Sequence, residues 1–119
     1  MKISSEIEGS IAVIDISGDV VASNAQALKD EALNLSEKGC NHILLEMSKV
    51  SFLDSTGLSV CMKIYETLTK ESGMLVMTRA NDTIKKVLRV TGADRKIQMA
   101  ASRAEGIEIL KGRLGGPVS

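Results

Sequence analysis

The sequence predicts an α/β domain in which a mixed, mostly parallel sheet of four to five strands is flanked by about four helices. Short apolar runs at 43–47 and 74–78 are typical of parallel strands buried on both faces. Helical periodicities separate these runs, and two β-branched segments joined by a tight turn open the chain. The 119 residues suit one domain. We place it at 1–112, followed by a flexible tail at 113–119, where Gly-Gly-Pro predicts fraying.

The first third of the chain predicts a hairpin and then a helix. Residues 2–7 and 10–17 have strand composition and meet at Glu8 and Gly9. The sequence SNAQ at 23–26 has the spacing of a capping box, which predicts a helix capped by Ser23 and ended by Gly39. The apolar positions of this helix are Ala25, Leu28, Ala32 and Leu35.

The middle of the chain predicts a central strand and a long helix. Residues 42–47 form the strand, and Phe52 and Leu53 extend or flank it. Residues 56–72 are helical in pattern and end at Gly73. The predicted inner face of this helix is Leu58, Cys61, Met62, Tyr65 and Leu68.

The last third continues the alternation of strand and helix. A strand at 74–78 precedes a helix capped by Asn81 or Asp82 and closed near Gly92. A short strand at 97–99 and a second capping box, SRAE at 102–105, lead into the final helix. The predicted order is therefore ββαβαβαβα, with an antiparallel hairpin at the start of a parallel sheet.

Composition excludes several classes of function. Net charge is zero and the chain has one Phe, one Tyr and no Trp, so it lacks both the basic footprint and the stacking platforms that nucleic acids require. Neither a signal peptide nor a membrane-spanning run is visible, so we expect a cytoplasmic protein without membrane insertion. Cys40, Cys61 and His42 do not have metal-site spacing, and we expect no metal or other cofactor.

The segment FLDSTGL at 52–58 is the strongest candidate site. It is not an esterase elbow, because Leu53 stands where G-x-S-x-G needs glycine and His42 is the single imidazole in the chain. Phosphate-binding glycine motifs are absent, and the carboxylates are scattered. Ser55 is then either an ordinary helix cap or a phosphate acceptor at a helix start, with Asp54 and Gly57 beside it.

Three motifs carry a resemblance to a known family. The segment SKVSFLDSTGL at 48–58 resembles the hallmark loop of the STAS domain family, above all its bacterial anti-sigma-factor antagonists, in which the loop reads D-S-[ST]-G-[LI]. The segment beginning at Gly18 resembles the G-x-[LI]-D element, and 84–92 resembles the V-x-x-x-L-x-x-[ST]-G helix. The chain departs from the second motif at Val21, where many antagonists carry an acidic residue, although Asp19 is close by.

The resemblance implies a switchable binding protein rather than an enzyme. Ser55 would be the phosphoacceptor of a GHKL-type serine kinase that is also an anti-sigma factor, and a PP2C-type phosphatase would reset the switch. The unphosphorylated protein would bind this partner and free the sigma factor. The residues that would form or shape the binding surface are Asp19, Val21, Asn24, Asp54, Thr56, Gly57 and Leu58.

Two other roles remain open from the sequence. The same fold serves as a scaffold subunit in signalling or lipid-transport complexes, in which case Ser55 is only a cap. An interior rich in Met and Leu could also open a pocket for a small ligand.

Overall fold

A computed structural model of the protein describes residues 1–115. It contains five strands, four helices and a short 3₁₀ turn at Ala93–Arg95. The strands are β1 (Lys2–Glu8), β2 (Ile11–Ser17), β3 (His42–Lys49), β4 (Met74–Thr78) and β5 (Gln98–Ala100), and the helices are α1 (Ala25–Glu37), α2 (Ser55–Lys70), α3 (Asp82–Thr91) and α4 (Arg103–Gly115). The predicted order of strands and helices is confirmed.

The five strands form one sheet in the order in which they occur in the chain. β1 and β2 are antiparallel, and Gly9 has a positive φ of 63° in the turn between them. The other three pairings are parallel, and each parallel connection contains a helix, as a crossover between parallel strands requires. The predicted mixed, mostly parallel sheet is therefore confirmed.

The sheet has a different helical cover on each face. The larger core lies where α1, α2 and α3 pack, and it contains Ile14, Leu45 and Met77 from the sheet. A smaller core under α4 contains Val13, Leu44 and Val76 from the same strands. This alternation follows from the two-residue period of a strand. Helix α4 comes very close to the sheet, because a Cβ on Gly106 would stand 2.5 Å from a methyl carbon of Leu44.

Charged groups fasten the start of α4 to the sheet. The carboxylate of Glu46 is almost fully buried and receives Arg79 Nε at 3.2 Å and Arg103 Nε at 3.4 Å. Arg103 also pairs with Asp15. Burial alone would raise the pKa of Glu46, but the hydrogen bonds from Arg79 and Ser48 hold it below its usual value. The carboxylate of Glu46 is therefore charged, and its role is to hold α4 against the sheet.

Two details of the predicted helices were wrong. α1 begins at Ala25 with Asn24 at its N-cap position, so the capping box at Ser23 does not form. In α2 the fully buried positions are Gly57, Val60, Cys61, Ile64 and Leu68, whereas the predicted Leu58, Met62 and Tyr65 are only half-buried. Gly57 belongs to the buried face, where a Cβ would stand 2.3 Å from the carbonyl oxygen of Val20.

The end of the chain is partly described. Helix α4 continues through Arg113 to Gly115, so the predicted start of the tail at 113 falls inside this helix. The remainder of the predicted tail, 116–119, lies outside the described residues.

Candidate partner-binding site

The loop between β3 and α2 is held in place before it reaches the motif. The side-chain amide of Asn81 donates to the carbonyl of Ser51 at 3.0 Å and to that of Val50 at 3.4 Å. The same side chain accepts the N–H of Ile84 at 2.8 Å and so caps α3. Of the two predicted caps, Asn81 rather than Asp82 fills this role. One residue therefore couples the start of α3 to the loop that leads to Ser55.

Asp54, not Ser55, caps helix α2. Its Oδ1 accepts the N–H of Gly57 at 2.8 Å, and its Oδ2 accepts the N–H of Ala22 at 3.0 Å. The bond from Gly57, helped by the one from Ala22, lowers the pKa of Asp54 below its usual value. The interpretation of Ser55 as an ordinary cap was wrong, because the carboxylate one residue earlier satisfies the helix terminus.

Ser55 is left free for other chemistry. It is the first residue of α2 and is exposed to solvent. Its hydroxyl makes no hydrogen bond to any residue within 1–115. Thr56 beside it is exposed, and Leu58 in the same turn is half-buried. The positive end of the helix dipole lies at this serine, which favours negative charge there.

Gly57 is required by a neighbouring backbone. A Cβ at this position would lie 2.3 Å from the carbonyl oxygen of Val20, closer than real contacts allow. Val20 forms a parallel bridge with Leu53, in which the N–H of Val20 donates to the carbonyl of Phe52 at 3.1 Å. A backbone therefore approaches Gly57 closely, and it is the chain's own.

The segment 19–24 lies beside the motif and is ordered by Asn24. Its Oδ1 accepts the N–H of Val21 at 2.9 Å, and its Nδ2 donates to the carbonyl of Asp19 at 3.0 Å. This local turn explains why Asn24 makes no cap bond to α1, since its side chain is already used. Asp19 is exposed and Val21 is half-buried, on either side of the fully buried Val20.

The structure therefore brings all the predicted binding residues to one corner, where they differ in their burial and in their contacts. Gly57 and Asn24 stabilise the backbone of this corner, and Asp54 caps helix α2. The exposed members are Asp19, Ser55 and Thr56.

Phe52 is a candidate that sequence reasoning missed. It lies in the loop just before Asp54, and 48% of its surface is exposed. It is the sole Phe in a chain almost without aromatics, and its place beside the motif was the available signal. Exposed aromatic side chains next to a polar site are typical anchors in protein interfaces.

The other chemically interesting residues lie away from this corner. Cys40 and Cys61 are both buried, and burial raises the pKa of Cys61 to about 12. Burial, followed by the charge of Arg113, lowers the pKa of His42. Within 1–115, no three His, Cys, Asp or Glu side chains are grouped as metal ligands. In the same part of the chain no helix has the length and apolar character needed to cross a bilayer.

The sequence model of the STAS domain family matches residues 2–106, nearly the whole described chain. The chain belongs to the STAS domain family. The match includes the Gly18 segment, the loop with Ser55 and helix α3, so the resemblance found from the three motifs is confirmed.

Two curated relatives are similar to this STAS domain in sequence. A Thermotoga neapolitana protein, provisionally named an anti-sigma factor antagonist and TM1081 homolog, is 33% identical over 71% of this chain and 72% of its own. The anti-sigma-B factor antagonist of Bacillus subtilis is 24% identical over 80% of this chain and 86% of its own.

A solved structure with the same fold is that of SpoIIAA from Bacillus, an anti-sigma factor antagonist. Its unphosphorylated form superposes on this STAS domain with a TM-score of 0.75 at 18% identity, covering 93% of this chain and 99% of that one. Its phosphorylated form gives a TM-score of 0.73 at 18% identity, over 91% and 98%. At this identity the likeness shows the fold alone.

Proposed function

We propose that this STAS domain is an anti-sigma factor antagonist whose binding is switched by phosphorylation of Ser55. The observation that carries the proposal is the free, exposed hydroxyl of Ser55 beside a helix cap already provided by Asp54. Relatives named as anti-sigma factor antagonists support the choice of partner. The partner would be an anti-sigma factor that is also a GHKL-type serine kinase, opposed by a PP2C-type phosphatase.

The surroundings of Ser55 suit a switch that changes charge without unfolding the domain. A phosphate brings a charge of about −1.5 to −2. The carboxylate of Asp54 already accepts the N–H groups of Gly57 and Ala22, so the phosphate would not take over the cap and would point outward. The helix dipole would offset part of its repulsion from Asp54.

The same charge would disrupt a complex that covers this corner. Inside an interface, a phosphate next to Asp54 would meet repulsion and desolvation. A loss of about 3 kcal/mol in binding free energy corresponds to about a hundredfold weaker binding. The unphosphorylated protein would therefore bind the anti-sigma factor and the phosphorylated protein would release it.

Two exposed side chains of the same corner would contact the partner together with Ser55. Phe52 would supply an apolar anchor, and Asp19 would supply a charge close to the serine. Val21 takes the place where many antagonists carry an acid, so Asp19 is the candidate for the acidic contact. The role is one of binding, without a reaction catalysed by the chain itself.

The test is a parallel pull-down from cells that express the protein natively, using wild type, Ser55→Asp and Ser10→Asp. Ser10 is also exposed, but it precedes β2, whereas Ser55 follows the parallel strand β3, so the two serines lie at opposite ends of these strands. We expect wild type and Ser10→Asp to capture a GHKL-type kinase, and Ser55→Asp to lose it. Capture of one assembly by all three proteins would instead indicate a scaffold subunit.

A second experiment tests the modified residue directly. The captured kinase and ATP should add one phosphate to the wild-type protein, located at Ser55 by mass spectrometry. Ser55→Ala should remain unmodified under the same conditions. Phosphorylation of Ser55→Ala at the wild-type rate would overturn the assignment.

A further inference from the structure

A small apolar recess lies between helix α3 and strand β5, away from the Ser55 corner. We call it the α3 slot; it is lined by Lys85, Leu88, Arg89, Asp94 and Met99. Leu88 is fully buried beneath the recess, so the half-buried Met99 supplies the apolar surface that a ligand can contact, and the charged residues form the rim. Its volume is about 230 Å³. Pockets for small ligands usually measure about 300–1,000 Å³, so the slot is better matched to a single side chain.

The rim of the slot belongs to a strongly basic part of a neutral chain. Residues 82–96 contain five of the 15 Lys and Arg residues but only two of the 15 Asp and Glu residues. All seven of these side chains are exposed. In the part of the chain that the structure describes, Lys85 and Arg89 form no ion pair. Both cations are therefore available to negative charges outside the molecule.

We propose that the α3 slot is a second docking surface, which binds an acidic segment of a partner protein. One apolar side chain of that segment enters the slot, and acidic neighbours on both sides pair with Lys85 and Arg89. The apolar floor is complementary to the apolar side chain of this segment, and the cationic rim is complementary to its acidic neighbours. A segment with only one of these features would match only part of the slot. The slot shares no lining residue with the corner around Ser55, so a partner can occupy it without covering that serine.

The shape of the slot favours a protein segment over a membrane. A bilayer surface receives apolar side chains that protrude, whereas Leu88 and Met99 lie at the bottom of a recess. Asp94 on the rim would repel a uniformly anionic lipid surface but can be avoided by a peptide with spaced carboxylates.

The experiment uses the ¹⁵N-labelled full chain and a synthetic peptide with one leucine flanked on each side by glutamates. Chemical-shift changes should concentrate at Lys85, Leu88, Arg89 and Met99. A peptide with serine in place of leucine should bind about tenfold more weakly, because it loses the apolar contact. Equal binding of the two peptides, or shifts spread over other surfaces, would overturn the proposal.

Charge variants separate this site from general electrostatic attraction. The double variant Lys85→Glu/Arg89→Glu should weaken the peptide by about tenfold or more. Lys38→Glu/Lys111→Glu changes the net charge equally at exposed positions elsewhere, just after α1 and within α4, and it should bind as wild type does. If both double variants lose binding equally, the peptide senses net charge and the slot is not its site.

Two further arms complete the test. Met99→Gln keeps the length of the side chain but makes the floor polar, so it should weaken the leucine peptide while a melting curve confirms folding. Ser55→Asp should leave the peptide affinity unchanged. Co-sedimentation of the chain with phosphatidylserine vesicles, without any response to the peptide, would assign the basic surface to membranes and reject the proposal.

Discussion

The carbonyl oxygen of Val20 lies 2.3 Å from the point where a Cβ on Gly57 would stand. These two residues join the loop after β2 to the first turn of α2, next to the exposed serine. The contact fixes where α2 begins relative to the sheet, and with it the direction in which Ser55 faces.

Gly57→Ala should destabilise the protein by about 1–3 kcal/mol, because the added methyl group forces the Val20 backbone away. Urea unfolding followed by circular dichroism measures the change. Gly112→Ala is the matched control: Gly112 is exposed in α4, and a Cβ there meets no atom within 4 Å. That variant should gain up to about 1 kcal/mol from helix propensity. Equal stability of the two variants would contradict the close contact.

Ser55→Ala should change the free energy of unfolding by less than about 0.5 kcal/mol, because its hydroxyl has no partner within the described residues. Ser55→Asp should also remain folded, since a negative charge is favourable at a helix N-terminus. Thermal melts of both variants check this. A marked loss of stability in Ser55→Ala would show that the hydroxyl acts as a cap after all.

Asp54→Ala should lower the melting temperature by several degrees, because the N–H groups of Gly57 and Ala22 lose their acceptor. Asp54→Asn can still accept from Gly57 and should melt between Ala and wild type. Ser55→Ala is the direct control, because it changes the neighbouring residue and leaves the carboxylate of Asp54 in place.

The charge of Asp54 also predicts that folding stability decreases in acid. Its pKa is lowered in the folded protein, so below the ordinary value of 3.8 the unfolded chain binds more protons than the folded one. The stabilisation is present above that pH and is lost as pH falls through the lowered pKa. Asp54→Asn should remove this part of the acid dependence, measured by urea unfolding at a series of pH values. An unchanged acid profile would argue against the charged cap.

His42 predicts a separate decrease in folding stability, at a higher pH than that of Asp54. Burial, with the charge of Arg113, lowers its pKa from 6.5, so the folded protein holds the neutral imidazole. As pH falls below about 6.5, the unfolded chain takes up this proton first and folding stability declines. His42→Gln should flatten the decline between pH 7 and about 5, where carboxylates contribute little. The same slope in both proteins would place its origin elsewhere.

Phe52→Ala should weaken binding of the anti-sigma factor by about tenfold or more while leaving the melting temperature nearly unchanged. The side chain is 48% exposed beside the Ser55 loop, so its removal costs little packing. Ile7→Ala is the control, because Ile7 is 52% exposed but lies at the hairpin end of β1. Surface plasmon resonance with the captured partner distinguishes them. A similar loss in both variants would exclude a specific anchor at Phe52.

Much of the fold could be predicted because its signals are local in the chain. The apolar run at 43–47, the turn at Gly9 and the glycine after α1 each report on a few consecutive residues. The position of the candidate site was also local, since the loop with Ser55 follows a strand and opens a helix. These features determined the order ββαβαβαβα and the motif by which the family was found.

The roles of residues within the site depended on contacts between distant parts of the chain. Asp54 rather than Ser55 became the cap, with Ala22, 32 positions earlier, donating to the same carboxylate. Glu46 became a buried ion because Arg79 and Arg103 converge on it from two later segments. The sequence by itself thus determined the elements, their order and the motif. The tertiary structure decided which side chain caps α2, which face of α2 is buried and which hydroxyl remains free, because hydrogen bonds and close packing arise only when separate segments meet in space.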